Sequence, residues 1–302
     1  MNRSMDKYSV EALCEAAGFT KQAHYAFLKR KKQNENLYNE VVDIVTNIRR
    51  YHPRIGLRKT WYMVKPDWIG RDQFIAIGVD LGLEIPKPKN YQRTTFSTRC
   101  NLFGNLAAMA PVYDINQVWV SDITYFYVNG TFFYITLIED VYSRRILGCS
   151  ASETLRAEAC CKALKQALKE RSGMNISNLI HHSDKGSQYN SDAYINILKE
   201  HEIRISMCDS VYENTHIERL NGTIKNEYLN HMKIKNIKDL VEHLKSAAFL
   251  YNHKRPHFSL NFLTPVGFEN KLENIPSKDR AVMNLYADVL SKKRLYQSTL
   301  FI

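Results

Sequence analysis

Apolar positions run at helical spacing through the first third of the chain and give way to β-branched and aromatic runs after Pro111. Between Ser9 and Lys32, Val10, Leu13, Cys14 and Ala17 share one helical face, and Gly18 stops it. Thr20 then caps a second helix that carries Ala23, Phe27 and Leu28 and ends in Lys29-Arg30-Lys31-Lys32. Two short helices around a turn are the layout of a helix-turn-helix, and equally of a helical hairpin with a solvated basic end. Leu37, Val41, Ile44, Val45 and Ile48 form the next amphipathic face, stopped by Arg49-Arg50 and Pro53. Shorter helical pieces follow Gly56 (Leu57, Trp61, Val64) and span Gln73 to Leu83. Pro86-Lys87-Pro88-Lys89 reads as a stiff, exposed connector.

Val118 to Phe126 has strand composition, Asn129-Gly130 is a hairpin turn signal, and Thr131 to Ile138 is the returning strand. Arg145 to Ser152 makes a third strand, a helix follows through Ala157, Cys161, Leu164 and Leu168, and Ile176 to Ile180 is a short apolar strand. Gln188 to His201 reads as helix, Ile203 to Met207 as strand, and two helices occupy Asn214 to Tyr251. Antiparallel strands followed by alternating helices and strands predict a mixed α/β domain behind an all-α region. The expected boundaries are 1–35 for the helix-turn-helix, 36–95 for a helical DNA-binding region, 96–110 for a linker, 111–270 for the α/β core and 271–302 for a tail.

Charge adds direction to this picture. The chain carries a net +11, and +8 of it lies in residues 1–110. That bias favours a polyanionic partner gripped by the first part of the chain. The six cysteines form no C-x-x-C pair and no zinc spacing, which fits reduced thiols in a cytoplasm. Phe74 to Leu83, the most apolar stretch, is broken by Asp80 and is too short to cross a bilayer. The polar N-terminus carries no secretory signal.

Three carboxylates stand out. Asp122 interrupts a hydrophobic strand, where an unpaired charge is costly to bury. Asp184 follows a strand segment, in His182-Ser183-Asp184-Lys185-Gly186, at the kind of strand end where α/β sheets place ligands. Glu218 lies on a helix whose polar stripe reads Asn214, Glu218, Asn221, Lys225, beside the apolar stripe Ile217, Leu220, Ile224. Oxygen donors of this kind suit a hard divalent cation that shares its shell with phosphate. Two such ions about 3.5–4 Å apart can activate the attacking oxygen and stabilise the leaving one. His181 and His182, adjacent on a strand, face opposite ways and make no zinc pair.

The blocks around these acids resemble the signature of DDE transposases and retroviral-type integrases, most closely the second-frame transposases of the insertion sequence 3 family. The matching stretches are W-V-S-D-I-T-Y around Asp122, H-S-D-K-G-S-Q-Y around Asp184, Y-E-N-T-H-I-E-R-L-N-G-T-I-K-N-E-Y-L around Glu218, and Y-N-H-K-R-P-H-F-S-L-N-F-L-T-P at 251–265. The resemblance implies an RNase H-like core, an N-terminal helix-turn-helix, and Asp122, Asp184 and Glu218 as catalytic and metal-holding residues. It implies Mg²⁺, with Mn²⁺ as a substitute, and two ions once DNA is bound. Lys225, Asn214 and Lys185 are expected as DNA contacts, together with Lys29, Arg30, Lys31 and Lys32. His182, Asp140 and Asn221 are expected to support the acids or the fold.

The partners so implied are double-stranded DNA at the element's terminal inverted repeats and at the target, further copies of the chain on that DNA, and an upstream-frame helix-turn-helix protein joined by frameshifting. The setting is a nucleoid-associated one in the cytoplasm. Two departures touch loop geometry: Glu213-Asn214 stands where the family has Asp-Asn, and the interval from Asp184 to Glu218 is about two residues shorter, through Asp209-Ser210-Val211. A DNA-binding regulator or decayed relic, and an RNase H-type nuclease, are the competing readings.

Overall fold

A computed structural model describes residues 9–86, 103–208 and 214–285. The connector at Lys87–Lys89, the first part of the expected linker and the shortened loop at 209–213 lie outside the described residues. The chain divides into two compact units: residues up to Arg50 together with Gly56–Ile85, and Tyr51–Ile55 together with the chain from Pro86 onward.

In the first unit, helix α1 (Val10–Ala16) is capped by Ser9 and helix α2 (Lys21–Arg49) by Thr20. Where two helices with a break near residue 35 were expected, α2 runs unbroken for 29 residues. Lys, Arg, Gln, Glu and Leu are good helix formers, so the basic run at 29–32 continues the helix instead of ending it. Helices α3 (Leu57–Val64) and α4 (Arg71–Asp80) fold back on the second half of α2. Val41, Val45, Leu57, Ile69, Phe74 and Ile77 form the small core.

The second unit is built on five strands: β2 (Val118–Val128), β3 (Thr131–Asp140), β4 (Ile146–Ser152), β5 (Ile180–Ser183) and β6 (Arg204–Met207). Their order is β4-β3-β2-β5-β6, with β2, β3 and β4 antiparallel, and β5 parallel to both β2 and β6. Asn129 (φ 48°) and Gly130 (φ 86°) turn the β2–β3 hairpin with both residues left-handed, as a two-residue hairpin loop of this type requires. The fourth strand departs from expectation, starting at Ile180 instead of Ile176. Asn178 takes φ 65°, and the backbone turns through 176–179 before pairing begins.

Helices α5 (Ala157–Glu170) and α6 (Asp192–Glu200) cover one face of the sheet over Trp119, Ile138 and Leu147. A Cβ at Gly148 would sit 2.1 Å from the Ala163 carbonyl oxygen, so α5 approaches β4 at a distance only glycine allows. Helices α7 (Thr215–Thr223), α8 (Ile237–His253) and α9 (Pro265–Leu272) cover the other face over Val118, Val120, Ile135 and Leu137. The outer edge of β4 is closed by side chains. Asn252 donates to the Ile146 carbonyl and accepts from its N–H, and Gln166 accepts from Cys149 N.

The expected tail is part of this core as far as residue 285. Arg280 pairs with Asp114, and the short strand β7 (Met283–Asn284) pairs with β1 (Pro111–Val112). This mixed sheet with helices on both faces is an RNase H-like core, preceded by a helical region, as the sequence predicts. No described helix is long and apolar enough to cross a membrane.

One buried acid lies outside any site. Glu139 is 2% exposed, its Oε2 has no hydrogen-bond partner, and burial pushes its carboxyl up to about 8 despite Arg144 and Arg219 nearby. The folded state therefore holds this proton more tightly than the unfolded chain, and stability falls as pH rises from about 4.5 to about 8. Glu139→Gln should leave the melting temperature unchanged at pH 4 and raise it at pH 8. The gain there is on the order of a few kcal/mol. Equal melting shifts at both pH values would contradict this.

Candidate active site

The sheet register brings the first two acids together. Ser121 on β2 pairs with Ser183 on β5, the last pair of that parallel ladder. Asp122 and Asp184 are the next residue on each chain, so they lie side by side where β5 stops and β2 continues. Alternation along β2 turns Ser121 toward the turn before α6, where its hydroxyl meets Tyr189 Oη at 2.9 Å, and turns Asp122 toward α7. Asn221 on α7 donates from Nδ2 to Asp122 Oδ2 at 2.8 Å. Glu218 sits one turn before Asn221, in the first turn of α7, where the helix N-terminus favours a negative charge.

The electrostatics follow from this crowding. Asp122 is pushed up to about 8, first by burial and then by repulsion from Asp184 and, more weakly, Glu218. The Ile123 N–H and Asn221 oppose the shift. Burial also raises Asp184, whose Oδ1 accepts from Gly186 N at 3.0 Å. A Cβ at Gly186 would come 2.9 Å from Asp184 Oδ1 and 3.0 Å from Gln188 Oε1, so a side chain there would push on the Asp184 carboxylate. Among the described residues no three acid, histidine or cysteine side chains already close around one point as a finished metal cage. The donor set nevertheless suits a divalent cation: three carboxylates are near enough to repel, and one amide holds the central one in place.

The neighbouring residues divide into those the acids use and those the fold uses. The helix widens into a π-helical turn at Ile224–Tyr228, and Lys225 on it donates to Thr124 Oγ1 at 2.7 Å and to the Tyr125 carbonyl at 3.4 Å. Burial lowers its ammonium pKa and Asp122 counters that. Thr124 was not singled out from sequence, although the period-two alternation of β2 already puts it on the face of Asp122. Asn214 is buried at the start of α7, its amide against the Ser121 carbonyl at 3.5 Å. That placement gives it a role in holding the helix and removes it from the surface where DNA contact was expected.

Lys185 is half-buried beside Asp184, and Lys29, Arg30, Lys31 and Lys32 are exposed on α2. His182 is fully buried, with Nδ1 at 2.8 Å from Ser206 Oγ. That hydroxyl already accepts from the N–H groups of Leu106 and Ala107, so its proton points to Nδ1. His181 faces the opposite way, toward Tyr194 Oη at 2.9 Å, and burial holds it down to about 3. Asp140 accepts four hydrogen bonds, from Asn116 N, Tyr142 N, Ser143 N and Ser143 Oγ, and holds the turn after β3. Sequence reasoning missed Arg144, which takes φ 62° and bonds His216 two residues before Glu218.

Comparison with known proteins bears on the same region. Residues 113–212 and 201–265 match two models described as integrase core domain. The insertion element IS600 uncharacterized 31 kDa protein of Shigella sonnei is 30% identical over 275 residues, which cover 86% of this chain and 98% of that protein. The chain belongs to the insertion sequence 3 family of DDE transposases. The putative transposase InsK of insertion sequence element IS150, from Escherichia coli (strain K12), is 26% identical over 90% of this chain and 97% of its own length. Among solved structures, the HTLV-2 integrase catalytic core domain in complex with magnesium is 18% identical, covering 51% of this chain and 96% of that one at a TM-score of 0.42. By its family, the transposase is an enzyme acting on DNA, with the divalent-metal dependence of its class.

Proposed function

We propose that Asp122, Asp184 and Glu218 are the catalytic residues of this transposase and hold Mg²⁺, two ions when DNA is bound, with Mn²⁺ able to replace it. The observation that carries the reading is the convergence of the three acids from β2, the end of β5 and α7, near enough for Asp184 and Glu218 to raise Asp122. Bound there, the cations would activate the attacking oxygen and stabilise the leaving one. The chain's own contribution is position. Asn221 fixes the orientation of Asp122, the Gly186 N–H fixes Asp184, and Arg144 on His216 holds the start of the helix that carries Glu218. Cleavage exposes a 3′-hydroxyl at the element end, which then attacks the target strand.

The DNA contacts we assign are Lys225 and Lys185 beside the acids and the basic run on α2. The duplexes are the terminal inverted repeats and the target, several copies assemble on them, and the upstream-frame helix-turn-helix protein is an associated or fused partner in a nucleoid-associated, cytoplasmic setting. Incubation with duplex carrying the element's ends and Mg²⁺, with and without the upstream product, tests the reading. Metal-dependent cleavage and joining support it, whereas binding without cleavage in both conditions overturns the catalytic assignment.

Lys225 gives a separate check. Lys225→Ala should weaken duplex binding and reduce the slope of log affinity against log salt by about 1, the signature of one lost phosphate contact. An unchanged slope would confine Lys225 to holding Thr124.

A further inference from the structure

Helix α7 rests on the sheet by one stripe, Ile217, Leu220 and Ile224, all buried. Apolar contact is non-directional, so it holds the helix down without fixing its rotation. At about 100° per residue, Asn221 and Glu218 flank this stripe on one side and His216 flanks it on the other. Asn221 pins the first flank through Asp122. On the second flank Arg144 Nη1 meets His216 Nδ1, and the same ring bonds the Leu285 backbone. A guanidinium only donates, so Nδ1 accepts, Nε2 carries the proton, and the Leu285 carbonyl receives it.

Leu285 ends a segment fastened along its length. Arg280 pairs with Asp114 and donates to the carbonyls of Leu272 and Ile275, each at 2.9 Å. The Ala281 carbonyl accepts from Tyr142 Oη at 2.9 Å, and Met283 and Asn284 pair with β1. Leu285 is buried in the same apolar cluster as Ile217. Arg144 Nη2 reaches Met283 Sδ at 3.4 Å, so one guanidinium spans the segment and the start of α7. Its backbone holds φ 62°, a conformation that persists where the surroundings over-determine it.

We propose that residues 280–285 are a positioning strap for the active site. Through Leu285 and Met283 they fix His216 and Arg144, and thereby the rotation of α7 that presents Glu218 to Asp122 and Asp184. The proposal rests on Glu218 as the third catalytic acid. His216 is then a positioning residue, and the described chain beyond α9 serves the chemistry as well as the fold. The leverage is large, because a misplacement of about 1 Å at a reacting centre can cost about 10²-fold in rate.

Two measurements on the full chain test this. One is the Mg²⁺ concentration that half-saturates cleavage of element-end duplex, and the other is hydrogen exchange of the α7 amides in the metal-free protein. His216→Phe keeps a ring and removes both hydrogen bonds. It should raise the half-saturating Mg²⁺ concentration about tenfold, the scale for losing a group that orients a metal-holding side chain. It should also speed α7 exchange and leave duplex binding unchanged. His216→Gln should stay close to wild type, because its amide can still donate to the Leu285 carbonyl. Leu285→Asp, which expels the end of the strap from the core, should match His216→Phe. Met283→Ala, the milder change, should move both readings in the same direction. Because the strap acts through His216, the double variant His216→Phe/Leu285→Asp should be no worse than the worse single. Leu164→Ala, on the opposite face of the sheet, loses stability through a cavity and should leave the half-saturating concentration in place. Single variants that titrate like wild type, a double whose effects multiply, or a Leu164→Ala shift as large as that of His216→Phe would overturn the strap. If the wild type does not cleave at all, the catalytic reading fails and α7 exchange decides alone. Unchanged exchange in His216→Phe and Leu285→Asp then overturns the strap as well.

Discussion

Asp122→Asn, Asp184→Asn and Glu218→Gln should each lower cleavage and strand joining about 10³-fold or more, while binding of element-end duplex persists. Losing a carboxylate that positions a catalytic cation removes several kcal/mol of transition-state stabilisation. Each 1.36 kcal/mol is a factor of ten in rate. Melting temperature separates lost chemistry from lost structure. Asp122 is raised because burial and two acid neighbours disfavour its charge, so Asp122→Asn relieves strain in the metal-free protein. Its melting temperature without metal should equal or exceed that of the wild type. Asp184 is raised by burial too, and an asparagine Oδ1 can still accept from the Gly186 N–H, so Asp184→Asn should melt no lower than the wild type without metal. A variant that melts normally and retains activity within tenfold of wild type would remove that residue from the catalytic set.

Those acids were legible in the sequence because they combine chain-local signals: a charge inside a β-branched run, a strand end, a helix stripe. Asn129-Gly130 was legible for the same reason, since the turn type depends on two residues alone. The parts that escaped notice depend on distant partners. His181 and His182 read as strand residues, but the burial of His181-His182-Ser183 depends on Tyr194 and Ser206, which meet the two rings from far along the chain. Ile176 to Ile180 looks more like a strand, but β2 offers pairing only to 180–183. Asn214 and Lys225 read as a solvent stripe with Glu218. In the fold the ladder end of β2 lies under that stripe, and Ser121, Thr124 and Tyr125 draw both side chains inward. The run at Lys29–Lys32 suggested an end to α2 because charge is conspicuous, whereas helix propensity carried the chain through it. The ion pair of Arg280 with Asp114 joins residues far apart in sequence, and no local pattern announces it.

A second such long-range contact sets the largest stability effect. Glu269 on α9 receives Arg171 from the end of α5 and Arg145 from the turn before β4, with one Arg171 contact at 2.9 Å, and Glu170 extends the group at the surface. Arg171 is 1% exposed and Glu269 7%. Removing one partner from a pair this deeply buried strands the other charge, which costs about 3–5 kcal/mol, far more than an exposed pair contributes. Glu269→Ala should therefore destabilise the second unit by that amount, visible as a lower urea midpoint. Glu269→Gln should fall between it and the wild type, because an amide can still accept from one arginine. The pH dependence has a fixed sign. Burial alone would raise the Glu269 carboxyl, but hydrogen bonding and charge from Arg171, then Arg145, outweigh it and hold the carboxyl below 4.5. Its contribution is thus complete above about pH 4.5 and is lost as pH falls through the lower folded value. Wild type and Glu269→Ala should converge in stability toward that acid limit, and a gap that stayed constant from pH 7 to the acid transition would show that Glu269 acts by packing instead of charge.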